Sequence, residues 1–381
     1  MKIVIALDSF KGSLTSLEAG AAVRDAVLRL DSTAEVIVKP LADGGEGTVQ
    51  AFSGREDAEV ISVTVNGPLM KPVTARYCIL RDTGTAVMEM AAASGITLIS
   101  PGERNPMKTT TCGVGEMIAD AVKRGCRRFI VGIGGSATND GGTGMLTALG
   151  FRFLDKNGNP VVPGAEGLRD LYKISTENVI PGLKDCIFNI ACDVKNPLCG
   201  ERGCSRVFAP QKGAKPEDIA LMDRWLGNYA EIAKTVSETS DENAEGAGAA
   251  GGLGFAFLSF MNARLESGIK LILEEINLRD AIKDADIVVT GEGCLDAQTV
   301  MGKAPIGVAG LAKEYGKRVI AFAGCVTEDA EICNEHGIDA FFPIVRGVTT
   351  LEEALDRDNA YKNLQRTAYQ VFRLLFSGSV F

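Results

Sequence analysis

One histidine and one tryptophan are spread over 381 residues, and aromatic side chains make up 6% of the chain. The single histidine narrows the chemistry. A serine hydrolase using Ser136 would in most versions need a histidine base, and Gly134-Gly135-Ser136-Ala137-Thr138 lacks the second glycine of a nucleophile elbow. His336 lies in Glu335-His336-Gly337, a helix end with a glycine cap, and reads as structural. Long apolar runs are missing too: no segment reaches the ~20 apolar residues needed to cross a bilayer. Basic blocks are absent and the net charge is −9, which argues against non-specific nucleic-acid binding. An anionic ligand therefore needs a local site, with a divalent cation beside it. The ten cysteines form no spacing framework, and Cys199 and Cys204 have neither a second pair nor a histidine nearby to hold zinc. The apolar start of MKIVIALDSF is too short for a secretory signal, so a cytoplasmic protein with reduced thiols is expected.

What the chain has is glycine, 44 residues of it, and a 46% apolar fraction that supplies ample core. At ~150 residues per domain the length suggests two or three domains. Ile3–Leu7 reads as a strand buried on both faces, and it exits into Asp8-Ser9-Phe10-Lys11-Gly12-Ser13. Thr15 and Glu18 form a capping box for a helix whose face carries Val23, Val27 and Leu30. Val36–Val38 then completes a β-α-β unit. Near Asp57 the pattern changes to short strands, Val60–Val65, Arg76–Leu80 and Thr85–Met90, separated by hairpin signals. A helix ending at Gly125 leads to the strand Phe129–Ile133, and Ile187–Cys192 is a further strand. Lys215–Ser240 reads as one long helix or a pair, and GAGAAGGLG within Glu245–Gly254 as a flexible loop. Ile287–Thr290, a helix from Lys303 to Tyr315, Arg318–Ala323 and Ala340–Val345 resume the β-α-β pattern. The expected fold is α/β: a Rossmann-like, doubly wound parallel sheet formed by both chain ends (1–57 and 286–381), with a mixed α/β domain (58–285) inserted in the middle. An active site between the two domains is expected.

The segment RFIVGIGGSATNDGGTG is strand, glycine loop, then helix. Its glycines let backbone N–H groups converge, and its hydroxyl and amide side chains add donors, which suits phosphate oxygens. Gly132-x-Gly134-x-x-Ala137, with Asp155 downstream, imitates a dinucleotide fingerprint, but Asn139-Asp140-Gly141-Gly142 is a run of poor helix formers where that fingerprint needs a helix to start. A Walker A loop is absent, because Gly302-Lys303 lacks the preceding glycine and the following Ser or Thr. The phosphate-binding candidates are thus Gly134, Gly135, Ser136, Thr138, Asn139, Gly141 and Gly142, joined by Gly251 and Gly252 from the other Gly-Gly-x-Gly stretch.

DSFKGSLTS, PLADGGEGT, GIGGSATNDGGTG, ACDVKNPLCG, FAPQKGA, GAAGGLGF and GEGCLDAQTVMGKAPIGVA, in this order, resemble the bacterial glycerate kinase family that includes the glycerate 2-kinases. The resemblance implies ATP-dependent phosphorylation of D-glycerate to 2-phosphoglycerate, with Mg2+, the 3-phosphate product being the alternative. Cys294 stands where that family usually carries arginine, and Cys204 and Ala209 stand where small residues are usual.

Phosphoryl transfer relies on positioning and charge neutralisation, with a carboxylate to accept the hydroxyl proton. Asp296 and Asp193, each just beyond a buried strand, are the candidate bases, and Lys303 the cation for the transferring phosphate. Asp193, Asp43 and Glu46 are the candidate magnesium ligands. Asp8, Lys11 and Ser13 are the candidate substrate-binding residues, although Asp8 also suits a turn. Lys195 and Lys212 read as solvated. The expected partners are D-glycerate and ATP, with no nucleic acid and no membrane. A homodimer stays open, as does a non-enzymatic sugar-acid sensor.

Overall fold

Ile3, Val4 and Ile5 are fully shielded from solvent, as a strand covered on both faces and both edges must be. The computed structural model describes residues 1–42 and 47–377, and within it Lys2–Ile5 lies inside a five-stranded sheet. Across that sheet the order is Ala340–Pro343, Arg318–Val326, Ile287–Leu295, Lys2–Ile5 and Glu35–Val38. Every pairing is parallel, with Ile3 opposite Ile287 on one side and Val36 on the other. This sheet belongs to the first of two compact units, residues 1–43 with 269–381. The expected capping box is present: Thr15 Oγ1 accepts from the Glu18 amide at 3.2 Å, and Glu18 accepts from the Thr15 amide at 2.9 Å. It starts the helix Ser16–Leu30, whose Val23 and Val27 join Leu364, Ala368 and Phe372 of the helix Arg357–Ser377 in the core.

The second unit, residues 44–268, holds a six-stranded mixed sheet. Its order is Ala263–Glu266, Ile187–Ala191, Arg128–Gly132, Thr85–Glu89, Pro72–Leu80 and Ala58–Asn66. The first four strands are parallel to one another, and the last two form the antiparallel meander that the hairpin signals announce. Residues 44–57 therefore group with the middle of the chain and 269–285 with its ends. The latter follows from packing: Gly307 closes on Ile269, and Arg279 pairs with Glu314 at 2.6 Å, so both short helices before Ile287 lie against the helix Ala304–Glu314.

Two local expectations change. Lys215–Ser240 is one helix, Pro216–Ala233, followed by turns. The stretch expected as a flexible loop is packed instead: Ala250, Gly251 and Gly252 take three successive left-handed conformations (φ 52°, 69° and 91°) on entry to the helix that runs to Phe260. Gly251 and Gly252 are buried there. No helix among the described residues is long and apolar enough to cross a membrane.

Candidate functional site

In an open parallel sheet the ligand crevice lies beyond the carboxyl ends of the strands, where the strand order reverses. In the first unit that place is between Lys2–Ile5 and Ile287–Leu295, and two loops meet there. The amide of Asp8 donates to Gly291 O at 2.9 Å, and a Cβ on Gly293 would come within 3.4 Å of the Lys11 amide nitrogen. Gly291 (φ 151°) lies so close to the next strand that a Cβ would sit 1.9 Å from Phe322 O, which explains why only glycine serves at that exit.

Past this point the chain forms a cluster of two acids, a threonine and a lysine. Asp296 and Thr299 close a reciprocal turn, in which the Thr299 amide donates to Asp296 Oδ1 at 3.0 Å and the Asp296 amide to Thr299 Oγ1 at 3.2 Å. The Thr299 hydroxyl donates to Glu292 Oε1 at 2.8 Å. Lys303 Nζ stands 3.3 Å from Asp296 Oδ1 and 3.7 Å from Glu292 Oε2. Lys303 is itself the N-cap of the helix Ala304–Glu314, so its ammonium and the helix amide end share one region. Burial pushes the Glu292 carboxyl above the usual glutamate range, against the pull of Thr299 and Lys303. For Asp296 burial also acts upward, but the Lys303 contacts and the Thr299 hydrogen bonds hold its carboxyl below the usual range. The structure thus brings Asp296 and Lys303 together and adds Glu292, which sequence reasoning missed. The signal available for it was an acid between two glycines at a strand exit.

Asp8 is buried and accepts from the Ser9 amide at 2.7 Å, while Lys11 is exposed. Ser13 donates through both its amide (2.8 Å) and its hydroxyl (3.1 Å) to Phe10 O, so its hydroxyl closes the loop.

In the second unit the glycine loop divides into a surface part and a buried part. Gly134 and Gly135 are exposed and Ser136 half-buried, whereas Thr138, Asn139 and Asp140 are fully buried. The helix does not start until Thr143, as expected for a loop that is not a dinucleotide fingerprint. Asp140 binds the buried part together, accepting from the Thr111 amide and hydroxyl, the Thr110 hydroxyl and the Gly142 and Gly144 amides at 2.8–3.2 Å. Gly141, Gly142, Gly251 and Gly252 serve close backbone approach. The Gly141 amide donates to Gly251 O at 2.9 Å, and a Cβ on Gly251 would fall 2.1 Å from Thr138 O.

Lys212, expected to be solvated, is 3% exposed. The helix Pro216–Ala233 and the turn Pro210–Lys212 carry it under the loop, where its Nζ donates to Ser136 Oγ at 2.7 Å and Thr138 O at 2.8 Å. Burial pushes the ammonium down to about 8. Lys195 is exposed and pairs with Glu245 at 3.3 Å.

Asp193 is exposed in the second unit, and its Oδ1 accepts from the Gly268 amide at 3.1 Å. Asp43 and Glu46 lie outside the described residues. Among the described residues no three His, Cys, Asp or Glu side chains gather as a metal cage. Asp193 supplies one exposed carboxylate, and magnesium takes one or two from protein and fills its remaining positions with phosphate oxygens and water.

A parallel-sheet unit with an acid–lysine cluster at its carboxyl edge, joined to a mixed-sheet unit with a glycine loop, fits a phosphotransferase. The sequence profile described as the glycerate kinase family matches residues 3–376. Over 375 residues the chain is 46% identical to the glycerate kinase of Haemophilus influenzae, covering 98% of this chain and 99% of that one. It is 44% identical over 378 residues to the glycerate 2-kinase of Escherichia coli, covering 99% of each. A crystal structure from Salmonella typhimurium LT2, assigned there as a glycerate kinase 2, superposes with a TM-score of 0.93 at 43% identity and full coverage of both chains. The chain belongs to the glycerate kinase family, and it is a kinase acting on a small molecule.

Proposed function

We propose that this enzyme transfers the γ-phosphoryl group of ATP to the 2-hydroxyl of D-glycerate. The observation that carries the reading is Lys303 held between Asp296 and Glu292 at the N-terminus of Ala304–Glu314, on the carboxyl edge of the parallel sheet. In this reading the glycerate hydroxyl oxygen bonds to the γ-phosphorus, the bond from phosphorus to the ADP oxygen breaks, and Asp296 accepts the hydroxyl proton. Lys303 turns from the two carboxylates to the transferring phosphoryl group, and Glu292 with Thr299 fixes the turn that presents Asp296. Lys11, exposed beside this cluster, holds the glycerate carboxylate. The exposed part of the glycine loop, Gly134 to Ser136, takes the nucleotide phosphates. Asp193 is the described residue we assign to magnesium, which when bound would neutralise phosphate charge. The choice of the 2-hydroxyl rests on the name of the Escherichia coli relative.

Phosphorus NMR of the protein with ATP, magnesium and D-glycerate tests the reading directly. A phosphomonoester signal coincident with authentic 2-phosphoglycerate, lost with Asp296→Asn, is the expected result. A 3-phosphoglycerate signal overturns the regiochemistry, and binding of glycerate without ATP consumption would leave a sugar-acid sensor.

A further inference from the structure

Among the described residues, the buried lysine under the glycine loop has no ion-pair partner. Two of the three hydrogens of the Lys212 ammonium go to neutral oxygens, Ser136 Oγ and Thr138 O. Among the described residues no carboxylate reaches it within ion-pair distance. The nearest titratable groups are the Cys204 thiol and the Asp140 carboxyl, the latter already taken up by its own donors. Arg104 packs its backbone against Gly213 on the other side of the turn. An ammonium buried without an anion is costly unless something completes it.

The direction of completion is set by Ser136. Because Lys212 donates to Ser136 Oγ, the serine keeps its own hydrogen for another acceptor, and its neighbours Gly134 and Gly135 are open to solvent. That edge is rigid: Ile96 N donates to Gly135 O at 2.9 Å, Ala137 N to Ser94 O at 2.9 Å, and Thr109 Oγ1 to Ala137 O at 2.8 Å. Among the described residues the amides of Gly134, Gly135 and Ser136 meet no acceptor. Beneath the same loop, Asn139 Oδ1 and Thr138 Oγ1 are also buried without partners.

We propose that Lys212 and Ser136 form a two-residue device for a phosphate oxyanion: the buried ammonium polarises the serine hydroxyl, which with the Gly134, Gly135 and Ser136 amides grips the anion at the surface. Lys212 is then a positioning residue acting through Ser136. This deepens the reading of the loop as the nucleotide-phosphate site and rests on that reading. Since burial pushes the lysine down to about 8, the device weakens as pH rises through that value. The Cys204 thiol, pushed up to about 11 by burial, stays neutral across that window.

Sulfate is the probe, a tetrahedral dianion whose charge is constant across this range. Its binding to the full chain is read by Trp225, the single tryptophan, which packs near Ala209, Ala214 and Met222 around the Lys212 turn. Wild type should lose about tenfold in sulfate affinity per pH unit above about 8. Lys212→Arg should bind without that decline, and Cys204→Ser should keep the wild-type profile. Ser136→Ala, which leaves the lysine in place, should lose about tenfold in affinity. Ser136→Ala thus keeps the test valid even if substitutions of Lys212 prevent folding. Unchanged affinity in Ser136→Ala, a pH-independent wild type, or a response to D-glycerate but not to sulfate would overturn the proposal. Sulfate binding requires no turnover. A wild type that binds sulfate through this pair but makes no phosphoglycerate would therefore sink the proposed reaction and leave the site standing.

Discussion

Lys212 in the folded chain releases its proton near 8, against 10.5 for an ordinary lysine, and the difference has a consequence for stability. Below about pH 8 both the folded and the unfolded chain carry this proton; between about 8 and 10.5 only the unfolded chain does. Stability must therefore rise with pH across that window, by something on the order of 3 kcal/mol from this group alone. Urea unfolding across the window, wild type minus Lys212→Met, isolates the slope, because other titrating groups cancel in the difference. Saturating sulfate should push the rise to higher pH. In the other unit, Lys303→Met is expected to lower kcat by on the order of 100–1,000-fold with a smaller change in glycerate KM, since the lysine is assigned to charge that develops during transfer. A KM effect alone would place Lys303 in substrate binding. The two lysines also show what a sequence can disclose. Lys303 was visible as a candidate because it stands beside Gly302 at a helix start. Lys212 was not, because only the packing of the helix Pro216–Ala233 against a loop some 70 residues earlier takes it out of water.

At the level of elements, the strands and helices that surround the site follow from short-range signals. The capping box of Thr15 and Glu18 announces the helix Ser16–Leu30, and Thr15→Ala should cost about 1 kcal/mol by chemical denaturation. The glycine loops are harder to read. A glycine chosen so that backbone amides can reach a phosphate and one chosen so that two backbones can touch both lack a Cβ, and sequence alone gives them the same appearance. In the structure the glycines differ in exposure and packing. Gly134 and Gly135 face solvent, whereas Gly142 (φ 75°) would place a Cβ 2.4 Å from that of Ala256, and Gly251 (φ 69°) would place one 2.1 Å from Thr138 O. Gly251→Ala should therefore destabilise by several kcal/mol, through both the left-handed backbone and the collision. Gly134→Ala should leave stability within about 0.5 kcal/mol and act on nucleotide affinity instead. Equal losses of stability from the two substitutions would show that the exposed edge is structural after all.

At the level of the molecule, the switch between buried β-α-β patterning and hairpin signals near Asp57 is the sequence signal for a change of unit, and the compact units divide at 43/44 and 268/269. The second division has no such signal. The helices Gly268–Glu275 and Leu278–Lys283 carry no mark of the sheet they serve until Ile287 is seen pairing with Ile3. The connectivity has a kinetic signature. The middle unit is one continuous segment with its own core, but the other needs contacts between residues 284 apart in sequence, as Ile3 and Ile287 are, and such contacts form slowly. Trp225 reports only on the middle unit. After dilution from denaturant its fluorescence should recover in an earlier phase than kinase activity, and coincident recovery would show that the two units fold as one.

The same strand pairing bears on how the chain is made. Lys2–Ile5 is translated some 285 residues ahead of its neighbour Ile287–Leu295. At roughly 5–20 residues per second that is a wait of about 15–60 s, during which Glu35–Val38 is, among the described residues, the one sheet partner available to an apolar strand. A nascent chain thus carries one unpaired apolar strand edge through most of its synthesis, a period in which a chaperone that shelters extended apolar segments has the most to do.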